Sequence, residues 1–232
     1  DRSVGEGLLR EFHEQGFSHV DFVELDVTSQ ESAHELAIFL SRECGGFDVL
    51  INNAGYASKG SHLDLDIAQK TLDVNFFGVQ RVTRELLPML RPGGRVVNVS
   101  SGAGILTEVW SETRREALMS EGLTLEHLTA MMHEFLEDVR QNRITEAGWP
   151  HNAYRVSKAG LNALTRLWAR EWEDKDFSVF AVCPGWVKTD MGGPNATRSL
   201  DIGAETPVWL ATEKLSKLHS GAFYRDKEQL EY

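Results

Sequence analysis

Tyr154 stands four residues before Lys158 in the stretch "AYRVSKAG" (153–160). On a helix that spacing puts both side chains on one face, a turn apart. A phenol titrates at about 10, too high for easy proton exchange at neutral pH. A cation beside it stabilises the phenolate and lowers that value. The pair therefore has the makings of a proton-delivery device. The competing reading is two polar residues on a solvated helix face. With 4 Tyr in 232 residues, a lone Tyr-x-x-x-Lys arises by chance too readily to decide between them. The surroundings have to decide.

Four other stretches join it. "NNAG" (52–55) follows an apolar strand directly, and its small Ala-Gly pair lets the backbone turn sharply and approach a ligand. "LDVNFFG" (72–78) sets Asn75 in a largely apolar helical run, where a polar side chain needs a hydrogen-bonding task. "NVSSGAG" (98–104) ends a strand in two hydroxyls and glycines, and "CPGWVKTDM" (183–191) ends another in a Pro-Gly turn followed by a threonine.

The elements that must position these residues alternate between short apolar runs and helical patterns, as in a parallel sheet covered by helices. Residues 4–15 read as a helix stopped at Gly16, and "VDFVELD" (20–26) as a strand. The next helix opens on a Thr28–Glu31 capping box, carries Ala33, Leu36, Ala37 and Leu40 on one stripe, and stops at Gly45-Gly46. Residues 47–55 read as a strand running into a turn, 66–91 as a long helix ending at "RPGG", and 95–101 and 177–185 as strands, with "GAFYRDK" a short last one. Between Ser101 and Tyr154 lie helices at about 108–120 and 124–142, whose stripe Leu125, Leu128, Met132, Phe135 and Leu136 reads as packing surface. The motifs thus fall at the carboxyl ends of parallel strands or on the following helices, where open α/β sheets bind ligands.

Composition narrows the function. A formal charge of −11 argues against nucleic acid or an anionic membrane as partner. No apolar run approaches the ~20 residues that span a bilayer, and the N-terminus shows no signal-peptide core. Cys44 and Cys183 stand far apart and read as reduced thiols of a cytoplasmic protein. The 8 histidines show no ligand spacing, so no metal is implied. The sequons at Asn98 and Asn195 read as accidental, since Asn98 lies in a buried-looking strand.

In this order the motifs resemble the short-chain dehydrogenase/reductase family over nearly the whole chain. The 53-position interval from Ser101 to Tyr154, "EAGWPHNAYRVSK" and "GPNATRSLDIGAETPVWLA" are similar to its monomeric carbonyl reductases. The resemblance implies an α/β, Rossmann-type, doubly wound parallel sheet in a single domain over 1–232, with a helical insert at about 105–150. It implies NADPH-dependent reduction of small hydrophobic ketones, aldehydes or quinones, with NAD(H) kept open.

Within that resemblance Tyr154 gives the proton and Lys158 holds the nicotinamide ribose. Ser101, the second of the two serines, steadies the oxyanion, and Asn75 anchors a water linking Lys158 to solvent. Asp26 and Val27 meet the adenine, with Asp26 accepting from its amino group, and Asn53, Ala54 and Gly55 lie against the adenine ribose. Pro184, Gly185, Val187 and Thr189 orient the nicotinamide amide, while Trp186 and Met191 line the substrate pocket. The insert covers the helix starting near Tyr154, which favours a monomer.

One departure stands out. Family members begin with a strand and a T-G-x-x-x-G-x-G turn that lays the pyrophosphate on a helix N-terminus. This chain starts at "DRSVGEG", and Gly5 and Gly7 do not substitute, because no strand precedes them. The first βαβ unit is therefore expected to be missing. That would leave strand 20–26 without neighbours, and the reading favours a piece of a longer polypeptide over a truncated product. Arg2 or Asp1 would then read the ribose 2′ position, as phosphate or as hydroxyl. The alternatives are a non-catalytic fragment unable to hold nucleotide, or an NAD-dependent alcohol or hydroxysteroid dehydrogenase.

Overall fold

Along the central strand, Val96 and Val97 are both buried yet join different clusters. Val96 packs with Leu72, Phe76 and Leu164, and Val97 with Phe180, Leu210 and Tyr224. Strand side chains alternate between faces, so this sheet is covered on both, as the doubly wound reading requires. The structure is a computed structural model that describes residues 2–60 and 62–232.

The strands are β1 (Phe47–Asn52), β2 (Leu90–Val99), β3 (Ser178–Val182), β4 (Phe223–Arg225) and β5 (Glu228–Leu230), in that spatial order. The first four run parallel, and β5 returns antiparallel on β4. The short last strand is thus a hairpin, turning at Asp226 and Lys227, both at positive φ. The helices are α1 (Arg2–Glu14), α2 (Gln30–Glu43), α3 (Leu65–Leu72), α4 (Gly78–Leu86), α5 (Glu112–Met119), α6 (Leu125–Arg140), α7 (Ala153–Glu171) and α8 (Leu200–Thr212). The helix α7 is the centre of the larger core, with Val156, Leu161, Leu164 and Leu167 all at or below 1% exposure. The helices α5 and α6 add Leu118, Leu128, Met132 and Phe135 to that core.

Three local expectations change. Residues 20–26 form no strand, because a strand is defined by its ladder partner and β1 pairs only with β2 among the described residues. Asp26 and Val27 are held instead by side chains: Ser32 Oγ accepts from Asp26 N (3.0 Å), and Arg81 donates to Val27 O (2.6 Å). The cap of α2 is Ser29, accepting from Ser32 N at 3.2 Å, rather than Thr28. Thr28 is spent on Asp26, donating through both its N–H and its hydroxyl to Oδ1. The long helix over 66–91 is not uniform. A five-residue π-helical turn, Asp73–Phe77, separates α3 from α4, and "RPGG" opens β2 rather than trailing the helix. Such wide turns inside α-helices recur at functional sites, and this one contains Asn75.

Candidate functional site

The site grows from the carboxyl end of β2. Ser100 N donates to Val182 O (2.7 Å), which carries the pairing with β3 one residue beyond the strand. Ser101 then caps the single 3-10 turn Gly102–Gly104, its Oγ accepting from Ala103 N at 3.1 Å. That turn lies directly on α7: a β-carbon on Gly104 would fall 2.6 Å from the carbonyl carbon of Lys158. No larger residue allows so close a backbone approach.

The helix α7 starts at Asn152, whose side chain accepts from Arg155 N at 3.0 Å. This cap puts Tyr154 in the first turn and Lys158 in the second. The Ser101 hydroxyl lies near enough to Tyr154 to favour its ionised form. Lys158 is 4% exposed, and its ammonium lies 5.6 Å from the Tyr154 ring centre while donating to Val99 O at 2.7 Å. Burial drives the Lys158 pKa down to about 8, against a smaller opposing effect of Cys183.

The expected lowering of the phenol does not appear. Burial pushes Tyr154 upward, the hydrogen bond from Ser101 offsets part of this, and Lys158 is not among the groups that move it. The physical reason is the order of titration: Lys158, lowered to about 8, has lost its charge before a phenol raised above its ordinary value ionises, so it offers that phenolate no cation.

Asn75 has a structural task as well. It is fully buried, and its amide clamps Tyr56, accepting from Tyr56 N at 2.7 Å and donating to Tyr56 O at 2.8 Å. Its second N–H donates to Ser157 Oγ at 3.0 Å. Both amide hydrogens are committed, so the side chain's main task is to hold the chain just after Asn53, Ala54 and Gly55 against α7.

The remaining candidates line the same edge of the sheet. Asp26 is exposed, and its carboxyl is held below the usual range mainly by the Thr28 hydroxyl and N–H, so it stays ionised. Next to Asn53 and Ala54 is a hollow of about 150 Å³, lined also by Leu25, Val27, Ile51 and Val74. Beyond β3, Pro184 and Gly185 turn the chain into an exposed segment bearing Trp186, Val187, Thr189 and Met191. Trp186 is 52% and Met191 49% exposed. Met191 reaches across the cleft, its Cε 3.7 Å from where a β-carbon on Gly55 would sit. The structure therefore gathers Asn75, Ser101, Tyr154 and Lys158 with the loops after β1, β2 and β3. Asp1 lies outside the described residues.

Two groups escaped the sequence reading. Cys183 accepts from Gly102 N (3.1 Å) and Gly185 N (3.4 Å), so one buried thiol joins the turns that follow β2 and β3. Its place directly before Pro184-Gly185 was the available signal. Asn52 and Asn98 form a buried polar chain, with Asn52 donating to Thr83 and Asn98, and Asn98 donating to Thr165 on α7. An Asn in the same register of two apolar strands could have announced it.

A nicotinamide dinucleotide fits part of this arrangement. An ionised Asp26, the hollow beside Asn53 and the buried cation at Lys158 suit its adenine and nicotinamide ends. Among the described residues no glycine-rich turn links a strand to a helix N-terminus to cradle the pyrophosphate. Among them, too, no cluster of His, Cys, Asp or Glu could hold a metal ion.

Comparison with known proteins agrees with this geometry. Residues 2–112 match the family model described as short chain dehydrogenase, and 138–207 match one described as Enoyl-(Acyl carrier protein) reductase. The NADPH carbonyl reductase 1 of Rattus norvegicus is 41% identical over 222 residues, covering 91% of this chain and 78% of the rat protein. The Homo sapiens protein of that name is 40% identical over 221 residues, with the same coverage of 91% and 78%. Among solved structures, salutaridine reductase from Papaver somniferum superposes with TM-score 0.88 at 32% identity, covering 97% of this chain and 88% of that one. Menthone neomenthol reductase from Mentha piperita gives 0.80 at 28%, covering 96% and 86%. The fold, the ordered strand-end motifs and these relatives place the chain in one family: it belongs to the short-chain dehydrogenases/reductases.

Proposed function

We propose that the protein is an NADPH-dependent carbonyl reductase acting on small hydrophobic ketones, aldehydes or quinones, with Tyr154 as proton donor. The observation that carries this reading is the buried Lys158 cation at the end of β2, 5.6 Å from the Tyr154 ring centre and bonded to Val99 O, with the turn that Ser101 caps packed directly against it. The names of the mammalian relatives, which specify NADPH, support the cofactor and the reaction class.

The cofactor supplies a hydride to the carbonyl carbon. Asp26 and Val27 would hold its adenine, with Asn53, Ala54 and Gly55 against the adenine ribose. Lys158 would hold the nicotinamide ribose, and Pro184, Gly185, Val187 and Thr189 would orient the amide. Ser101 would donate a hydrogen bond to the substrate oxygen as it gains charge. Tyr154 then transfers its proton to that oxygen, leaving a phenolate that is reprotonated through solvent. Burial makes Tyr154 a weaker acid than a free phenol, so it yields its proton only as hydride transfer turns the substrate oxygen into an alkoxide, a stronger base than a phenolate. Asn75 acts chiefly by fixing Tyr56 and the adjoining loop. Exposed Trp186 and Met191 over the cleft favour a flat or apolar substrate.

We further read the chain as one domain whose 105–150 insert, covering α7, keeps it monomeric. Among the described residues no helix is long and apolar enough to cross a membrane, and a cytoplasmic location is part of the proposal.

Tyr154→Phe tests the mechanism. It should lower turnover of an aromatic ketone by at least ~10² while NADPH affinity, followed by tryptophan fluorescence, stays within about twofold. A variant that keeps its turnover refutes the proton-donor role. Failure of the unaltered chain to bind NADPH would favour the non-catalytic alternative.

A further inference from the structure

The segment that leaves β3 does not simply wander over the cleft; it is a loop with a closed neck. Arg198 N and Thr197 N both donate to Trp186 O (2.9 and 3.1 Å), and Lys188 N donates to Arg198 O (2.9 Å). Within the loop, Trp186 Nε1 donates to Gly192 O (2.8 Å), and Gly193 N donates to Thr189 O (2.8 Å). The loop is therefore stiff in itself, and its placement over the site depends on what holds the neck.

Val187 packs closely on Gly203 of α8, and one charged side chain ties the neck to the hairpin. Arg198 folds back across Gly185, where φ is +80°, so closely that a β-carbon there would lie 2.5 Å from its Cδ and Nε. Its guanidinium then makes a two-pronged pair with Asp226, NH1 to Oδ1 and NH2 to Oδ2, the latter at 2.8 Å. Planar forked pairs of this kind fix direction as well as distance. Asp226 sits in the turn of the β4–β5 hairpin and also faces Arg225 at 3.5 Å. The hairpin is itself anchored, through pairing of β4 with β3 and through Lys227 N donating to Thr206 Oγ1 (3.3 Å) on α8. At the other end of the loop, Met191 touches the Gly55 side of the cleft.

We propose that Arg198 and Asp226 are positioning residues for the reaction. Their ion pair clamps Gly185 and the 186–199 loop to the β4–β5 hairpin and holds the loop across the Tyr154 cleft. Neither residue touches the reacting atoms. Both act through the segment from Pro184 to Thr189, and the kinetic part of the proposal rests on the reductase reading above.

The test is a double-mutant cycle with Arg198→Gln, Asp226→Asn and both together. Asn tolerates the left-handed backbone at 226, so the hairpin turn is kept. The structural readout needs no activity: the rate of tryptic cleavage after Lys188, an exposed loop residue, identified by peptide mass. Each single variant should cleave about fivefold faster than the parent, and the double variant no faster than either single one, as for residues that act as a pair. Raising NaCl to about 1 M should move the parent toward the variants. In turnover, KM for NADPH and for the carbonyl compound should rise several-fold while kcat changes by less than about twofold. Unchanged cleavage in both single variants, or a double variant that multiplies their effects, overturns the proposal. Faster cleavage with unchanged KM overturns the positioning role. A parent protein without turnover would sink the reductase reading while leaving the clamp measurable by proteolysis.

Discussion

Replacing Lys158 by Met should make the protein more stable at low pH relative to high pH, even as it removes a residue of the proposed machinery. Burial lowers the lysine from its ordinary 10.5 to about 8. Below pH 8 the native state must carry a charged ammonium that the unfolded chain solvates more cheaply. Between 8 and 10.5 the unfolded state binds more protons than the native one, so native stability rises with pH across that window. At about 1.4 kcal/mol per pKa unit, the burden is about 3 kcal/mol at pH 7 and about 1 kcal/mol at pH 10. Methionine fills similar volume without the charge, but it leaves Val99 O without its 2.7 Å partner, at a cost of about 1–3 kcal/mol at any pH. The two offset each other near neutrality. What survives is the pH dependence: variant minus parent should fall by about 2 kcal/mol from pH 7 to pH 10. For a chain of this size that is roughly 4–8 °C in relative Tm. Differential scanning calorimetry of both proteins between pH 6 and 10 measures it. A difference that stays flat, or grows with pH, refutes the claim that Lys158 is a buried cation held against its solvation.

Asn75→Ala should lower Tm by roughly 4–12 °C, since it orphans both the N–H and the C=O of Tyr56. Its KM for nucleotide should rise as the loop bearing Asn53 to Gly55 loosens, a change that steady-state kinetics would register. Gly104→Val forces a side chain into the backbone of Lys158, so it should cost more than about 2 kcal/mol in urea unfolding and remove activity. A Val variant of parent stability would mean that the Ser101 turn does not rest on α7.

Sequence alone was enough for the family and for most of the architecture. The alternation of strand and helix follows from hydrophobic period, and the strand-end motifs follow from local turn chemistry, so both are written in neighbouring residues. Tyr154 and Lys158 share a face because four residues make about one turn, and that needed no tertiary contact. Three matters were decided only by packing. A strand at 20–26 depends on a partner that no local pattern supplies, and without one the segment is held by Ser32 and Arg81 instead. The direction of the Tyr154 pKa depends on how deeply it and Lys158 are buried, and so on which of the two loses its proton first. The Arg198–Asp226 clamp joins residues 28 positions apart in the chain, and only the pairing of β3 with β4 brings the hairpin turn under the loop. Periodicity and turn propensity are properties of a few adjacent residues; burial, and the charge state it sets, belong to the whole fold.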